Sequence, residues 1–268
     1  MSAGKVKNLI ILILLLVCCF LLALVVPARL EARRRTEENT QRLRRLMQEA
    51  NVTLTDRVPE TLELRAVELA EGGDAYLDAV SALLGEQVLS LQTAYRTEYS
   101  SARGVLQLNA GDFTAELYDR APAESPQAEI ETLLARFGVT RFSILQVPDP
   151  DGEQYIATPY LYGAPVFSFG LRFSYRDGAL TAVSGSLARE DFAVVSGQKR
   201  CCSAQDALIA FWGGRLAVGW VGSRLEEVSQ GYLAADATRL QPVWRIVTDT
   251  ETYYVDGLTK AIFRTERG

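Results

Sequence analysis

This 268-residue chain contains no histidine, so acid–base or nucleophilic chemistry would fall to its carboxylates, hydroxyls, lysines and four cysteines. That removes Ser-His-Asp and Cys-His catalysis, imidazole-ligated metals and the usual general base near neutral pH. Beyond the N-terminus only Lys199 and Lys260 remain for a serine–lysine dyad, and neither is read as part of an S-x-x-K pattern. The acidic pairs Glu226-Glu227, Asp112/Glu116 and Glu190-Asp191 read as solvated surface, since neighbours on a strand face opposite sides and cannot share a proton. Asp149-Pro150-Asp151-Gly152 opens like a calcium loop, but the later ligands do not follow, so a turn is expected. The glycines at 213, 214, 219 and 222 match neither phosphate-binding pattern. Asn51-Val52-Thr53 fits a glycosylation sequon, a common chance match. Trp244 with Tyr253-Tyr254 offers either an aromatic face for a partner or a cross-strand packing cluster. No catalytic, cofactor-binding or metal-ligating set emerges, and the expectation is a binding or regulatory protein rather than an enzyme.

The cysteines fall in two adjacent pairs. Cys18 and Cys19 lie in an apolar run and act there as small hydrophobes. Cys201 and Cys202 are neighbours, too constrained to bridge each other comfortably. No CxxC or zinc spacing occurs, so cysteine usage does not report the compartment.

The elements that must position any site begin with Leu9–Val26, an apolar run that carries no charge. As a helix it is about 27 Å long, close to a hydrocarbon core of about 30 Å. Val26-Pro27-Ala28 leaves a cleaved signal peptide as the competing reading, but the run exceeds the usual h-region, which favours an uncleaved anchor. Residues 1–50 hold nine Lys/Arg against four Asp/Glu, and the remainder holds nineteen against twenty-nine. A basic collar suits anionic headgroups, whereas the acidic remainder argues against nucleic acid. Lys5 and Lys7 precede the run and Arg29, Arg33, Arg34 and Arg35 follow it, so charge counting alone places the large domain on the cytoplasmic side.

Past the run, residues 30–50 predict a juxtamembrane helix with Arg/Glu pairs at i,i+4. Thr61–Leu84 reads as helical with a break at Gly72-Gly73. Further helices are expected over Ser125–Phe137, with Ser125 as cap and Pro126 in the first turn, and over Ser203–Trp212. Alternation predicts strands at 88–95, 104–108, 113–117, 142–147, 154–162, 166–175, 179–187, 225–234, 242–248, 252–255 and 261–264. Three stretches led by Tyr95, Tyr160 and Tyr232 share a tyrosine–loop–strand–hairpin layout. The expected class is therefore α+β: an N-terminal transmembrane helix, then repeated units of a helix packed on an antiparallel sheet. The domain reading is a tail at 1–8, the span at 9–28, a basic helix and linker at 29–57, and an α+β domain at 58–268, with possible subunits 58–120, 121–200 and 201–268.

Three segments carry a family resemblance. They are the Lys-flanked leucine-rich span, Tyr162-Gly163-Ala164-Pro165-Val166-Phe167 leading into Leu171–Leu180, and Leu240-Gln241-Pro242-Val243-Trp244-Arg245-Ile246 with Tyr253-Tyr254-Val255-Asp256-Gly257. Together they resemble the YycI/YycH family of Gram-positive bacteria, YycI more closely, over the anchor and most of residues 90–264. The resemblance implies a single-pass cell-membrane protein, N-terminus cytoplasmic and α+β domain extracytoplasmic. It also implies an accessory regulator of a sensor histidine kinase that controls cell-wall metabolism. Its partners would be that kinase, a sister YycH-like protein and the lipid bilayer, with no cofactor and no catalytic residue. Leu12, Leu14, Leu16, Cys19 and Leu22 are then the candidates for lateral contact within the bilayer, and Trp244, Tyr253 and Tyr254 for the partner surface. The basic collar departs from a clean N-inside pattern. Two other readings stand beside this one: an anchored module or inhibitor of exported enzymes similar to PepSY-type domains, and a hydrolase of unrecognised type.

Overall fold

The computed structural model describes residues 13–17, 20, 38, 41–54, 58–69, 73–93, 96–109, 112–150, 152–187, 193–197, 199–236 and 239–264. The protein is mixed α+β, mostly sheet with few helices. Residues 13–17 are helical and exposed. Most of the apolar run, with Leu12, Cys19 and Leu22, lies outside the described residues. Among the described residues no helix is long and apolar enough to cross a membrane.

Helix α1, residues 41–49, turns Leu43 and Met47 into a core while Leu46 stays exposed. Then come β1 (Thr53–Leu54), β2 (Val67–Leu69) and α2 (Gly73–Leu84). The helix expected from residue 61 is replaced by extended chain as far as Leu69. Leu64, Ala66 and Val67 are buried and Arg65 less so. The side-chain amide of Gln230 bonds both Leu62 N–H (2.7 Å) and Leu62 C=O (3.0 Å) and holds the segment flat. Long-range pairing wins there over local propensity.

A nine-stranded sheet follows, built from β3 (Leu89–Gln92), β4 (Thr97–Ser101), β5 (Gly104–Asn109), β6 (Asp112–Leu117), β7 (Phe142–Asp149), β8 (Gly152–Leu161), β9 (Ala164–Pro165), β10 (Leu171–Arg176) and β11 (Ala179–Ser186). Its order is β3-β4-β5-β6-β11-β10-β8-β7, with β9 on β8. Helix α3 (Pro126–Arg136) starts as expected: Ser125 accepts from Ala128 N–H and Pro126 takes the first turn. Its Ile130, Leu133 and Leu134 join α2 on one sheet face, over Leu106, Ala115, Phe173 and Val183. The β10–β11 turn has positive φ at Asp177 and Gly178 (52° and 76°), the two-residue hairpin that Asp-Gly favours.

The seven-stranded sheet gathers β1, β2, β12 (Ala193–Val195), β13 (Arg224–Ala234), β14 (Arg239–Thr248), β15 (Thr252–Asp256) and β16 (Ile262–Phe263). Helix α4 (Ala204–Gly214) lies on its front face, with Ala207, Leu208 and Phe211 in the core beside Trp220, Trp244 and Tyr253. The chain thus enters this sheet, makes the whole nine-stranded sheet, and returns. The β8–β9 hairpin ties the two together: Val166 bridges to Tyr232, and Phe167 N–H donates to Tyr232 C=O at 2.8 Å. The tyrosine-led stretches do not occupy equivalent places. Tyr160 is in β8 of one sheet and Tyr232 in β13 of the other, while Tyr95 lies outside the described residues.

Candidate functional site

The acidic pairs stay apart or serve structure. Glu226 is exposed, whereas Glu227 bonds Arg245 on β14 at 2.6 Å. Burial opposes ionisation of Glu227, but bonds from Arg245 and Ser229 outweigh it and hold the carboxyl below its usual range. Asp112 accepts from Ser186 at the end of the neighbouring strand. Glu190 and Asp191 lie outside the described residues. Asp149 and Gly152 close the β7–β8 hairpin, so the DxDG stretch is a turn. Among the described residues no three His, Cys, Asp or Glu side chains stand together to hold a metal.

Ser196 and Lys199 have the S-x-x-K spacing of serine–lysine hydrolases, a match that sequence reasoning passed over. Both are exposed and follow β12 in irregular chain, so no helical turn aligns them and no cleft surrounds them.

The three aromatic partner-surface candidates are core, which corrects that expectation. Trp244 is fully buried and donates its indole N–H to Cys202 C=O at 3.0 Å. Tyr253 packs on Phe211 with centroids 5.3 Å apart. Tyr254, its neighbour, points to the back face, between Phe263 and Phe167. Both sheet faces are covered at this point, front by α4 and back by the β9 hairpin, so adjacent tyrosines are both buried. Leu14 and Leu16, of the membrane-contact candidates, are helical and exposed.

Titratable groups in the other lobe are also structural. Tyr175 donates its hydroxyl to Glu129 Oε2 at 3.0 Å, and Arg120 pairs with the same carboxylate at 3.4 Å. Burial and that neighbouring charge push the phenol far above its ordinary value. The cluster pins α3 to β10.

What the sheet leaves open is its outer face. One cross-strand row runs Leu91, Glu98, Gln107, Thr114, Ser184, Arg172, Ile156, Leu145, from β3 to β7. The next row includes Leu89, Val105, Glu116, Ala182, Gln154 and Val147. None of these residues is buried, whereas the alternate positions Leu106, Ala115, Val183 and Phe173 are fully buried under α2 and α3. Buried and unburied positions alternate in β5, β6 and β10, and only one side of the sheet has a cover. At the rims Leu89, Leu91 and Leu145 are 79%, 63% and 65% exposed. Toward the centre, Arg172 has no ion-pair partner among the described residues, while Glu98 is paired with Arg96 at 2.8 Å. A broad, shallow surface with apolar rims and a polar middle suits a protein or extended chain better than a small molecule, which needs a concave pocket. The sequence carried this face as the polar half of each alternating strand, which singly looks like ordinary solvated surface.

No family model matches the chain, and no curated protein matches it. Among solved structures, an uncharacterized protein from Eubacterium rectale ATCC 33656 is similar over 80% of this chain and 90% of its own length, with a TM-score of 0.48 and 10% identity. The Bacillus megaterium YpeB C-terminal domain is similar over 75% of this chain and 100% of its own, with a TM-score of 0.38 and 10% identity.

Proposed function

We propose that this chain is a membrane-tethered, non-enzymatic regulatory protein that binds other proteins through the uncovered face of its nine-stranded sheet. The observation that carries this reading is that face: eight strands with no buried residue in two successive outward rows, rimmed by exposed leucines. The apolar run Leu9–Val26 supplies the tether, with the N-terminus cytoplasmic and the α+β domain outside. From the resemblance to YycI/YycH, the partners are a sensor histidine kinase and a sister accessory protein. Lateral packing of the span, at Leu12, Leu14, Leu16, Cys19 and Leu22, and docking of the outer domain together bias the kinase between its states. Such a bias requires only that the contacts differ between those states.

The same open face also fits an anchored PepSY-like module or inhibitor of exported enzymes. The identity of the bound partner separates the two.

Two changes test the reading. Thr114→Arg with Ala182→Lys puts bulky charge on the open face without touching the core, and should abolish regulation while the melting temperature holds. Exchanging residues 9–26 for an unrelated apolar helix of equal length should also abolish it, with the protein still in the membrane. Retained regulation in the first variant sinks the docking face, and in the second sinks lateral packing.

A further inference from the structure

Cys201 and Cys202 are both free thiols, joined by one peptide unit and unequal in exposure: Cys201 is buried and Cys202 is half-buried. The Cys201 sulfur sits against Gly257, where a Cβ would fall 2.2 Å from it. Cys202 lies just before α4, whose cap Ser203 bonds Asp206, and Asp206 pairs with Lys260 at 3.1 Å. Three segments meet at the backbone of the two cysteines. Cys201 N–H donates to Leu64 C=O at 2.8 Å, Cys202 N–H donates to Gly257 C=O at 2.7 Å, and Cys202 C=O accepts from Trp244 Nε1 at 3.0 Å.

We propose that this pair is a redox-modification site that takes small disulfides of the glutathione class: Cys202 attacks, Cys201 resolves, and the product is a vicinal disulfide that loosens the seat of α4. In the first step the Cys202 thiolate attacks one sulfur of the disulfide, forming a mixed disulfide and releasing one small thiolate. In the second, Cys201 sulfur attacks Cys202 sulfur and the second small thiol leaves with the Cys201 proton. The cysteine pair loses two electrons and the small disulfide gains them.

The direction follows from the geometry. Only Cys202 is open to a solute, and the hydrogen bond from Cys201 together with Lys260 lowers its thiol, against burial and Asp206. Cys201 is pushed up by its bond to Cys202 and by burial, so it is the poor initial nucleophile. Adjacent Cα atoms are about 3.8 Å apart across a trans peptide, below the usual disulfide span. The ring is therefore strained and easily reduced again, as a reversible site requires. Closing it turns the peptide between the cysteines, whose N–H donates to Gly257 C=O, and that bond is lost in the turn.

The test uses the full-length protein with oxidised glutathione, an acid quench and mass spectrometry of peptide 201–215, which trypsin releases separately from Cys18–Cys19. In the wild type this peptide should lose two hydrogens and carry no glutathione. Cys201→Ser should hold a stable glutathione adduct at Cys202, and Cys202→Ser should stay unmodified. Independently of any variant, brief iodoacetamide treatment of the native protein should label Cys202 about tenfold or more faster than Cys201. A persistent adduct on the wild type, equal labelling of the two thiols, or no reaction before denaturation overturns the proposal.

Discussion

Gly231→Ala probes the joint between the two sheets. A Cβ at Gly231 falls 2.4 Å from Pro165 C=O and 2.5 Å from Phe167 Cε2. Carbon contacts settle near 3.5–4.0 Å, so the hairpin must withdraw by about 1 Å. Neither neighbour gives easily. Pro165 presents backbone, and the Phe167 ring is held by Tyr254 (centroids 6.0 Å apart) and by the Arg245 guanidinium 4.6 Å above it. Overpacking costs about 1–3 kcal/mol. Weakening of the Phe167 N–H bond to Tyr232 adds about 1 kcal/mol. The lower unfolded-state entropy of alanine returns about 0.5–1 kcal/mol. The net loss is about 1–3.5 kcal/mol, which at about 2–4 °C per kcal/mol lowers Tm by about 2–14 °C. Thermal unfolding followed by circular dichroism measures it. Phe167→Ala in the same chain removes one of the two clashes, so the double variant should lose less than the sum of the singles. A Gly231→Ala protein melting within about 1 °C of wild type would refute the claim that the hairpin is seated on β13.

Met47→Ala should cost about 2–5 kcal/mol in a urea titration, because Met47 is fully buried in the core of the seven-stranded sheet; a negligible change would detach α1 from that core. Ser203→Ala removes the cap that accepts from Asp206 N–H at 3.1 Å and should cost about 1 kcal/mol by the same assay. Burial pushes the Tyr232 phenol up to about 12 from 10.0. Above pH 10 the unfolded chain loses this proton while the native state keeps it, so stability falls as pH rises from 10 to about 12, by about 1.4 kcal/mol per unit. Tyr232→Phe should remove that component of the alkaline slope, and an unchanged slope would contradict the assignment.

Strand alternation and capping were legible before any coordinates. Helix α3 starts at Ser125-Pro126, α4 at Ser203, and the Asp177-Gly178 turn falls in the gap between the strands expected at 166–175 and 179–187, because each is specified by residues in local contact. What failed was long-range. The extended stretch before β2 depends on Gln230, 168 residues away from Leu62. The short strands β1 and β12 exist only through their partners β13 and β2. Trp244, Tyr253 and Tyr254 looked like a presentable aromatic face because alternation covers one side of a strand, and nothing local announced that the β9 hairpin covers the other. The open sheet face was hidden for the converse reason. It is a property of eight strands in register, and no single strand contributes enough residues to it to announce it.

The central claim is most directly tested by photo-crosslinking in native membranes, with a photoreactive residue at Thr114 on the open face and, as a control, at Leu77 on the exposed side of α2. The expected result is a product from Thr114 with a sensor histidine kinase or a sister accessory protein, identified by mass spectrometry, and none from Leu77. Equal products from both positions, or none from Thr114, would contradict the assignment of the open face as the docking surface.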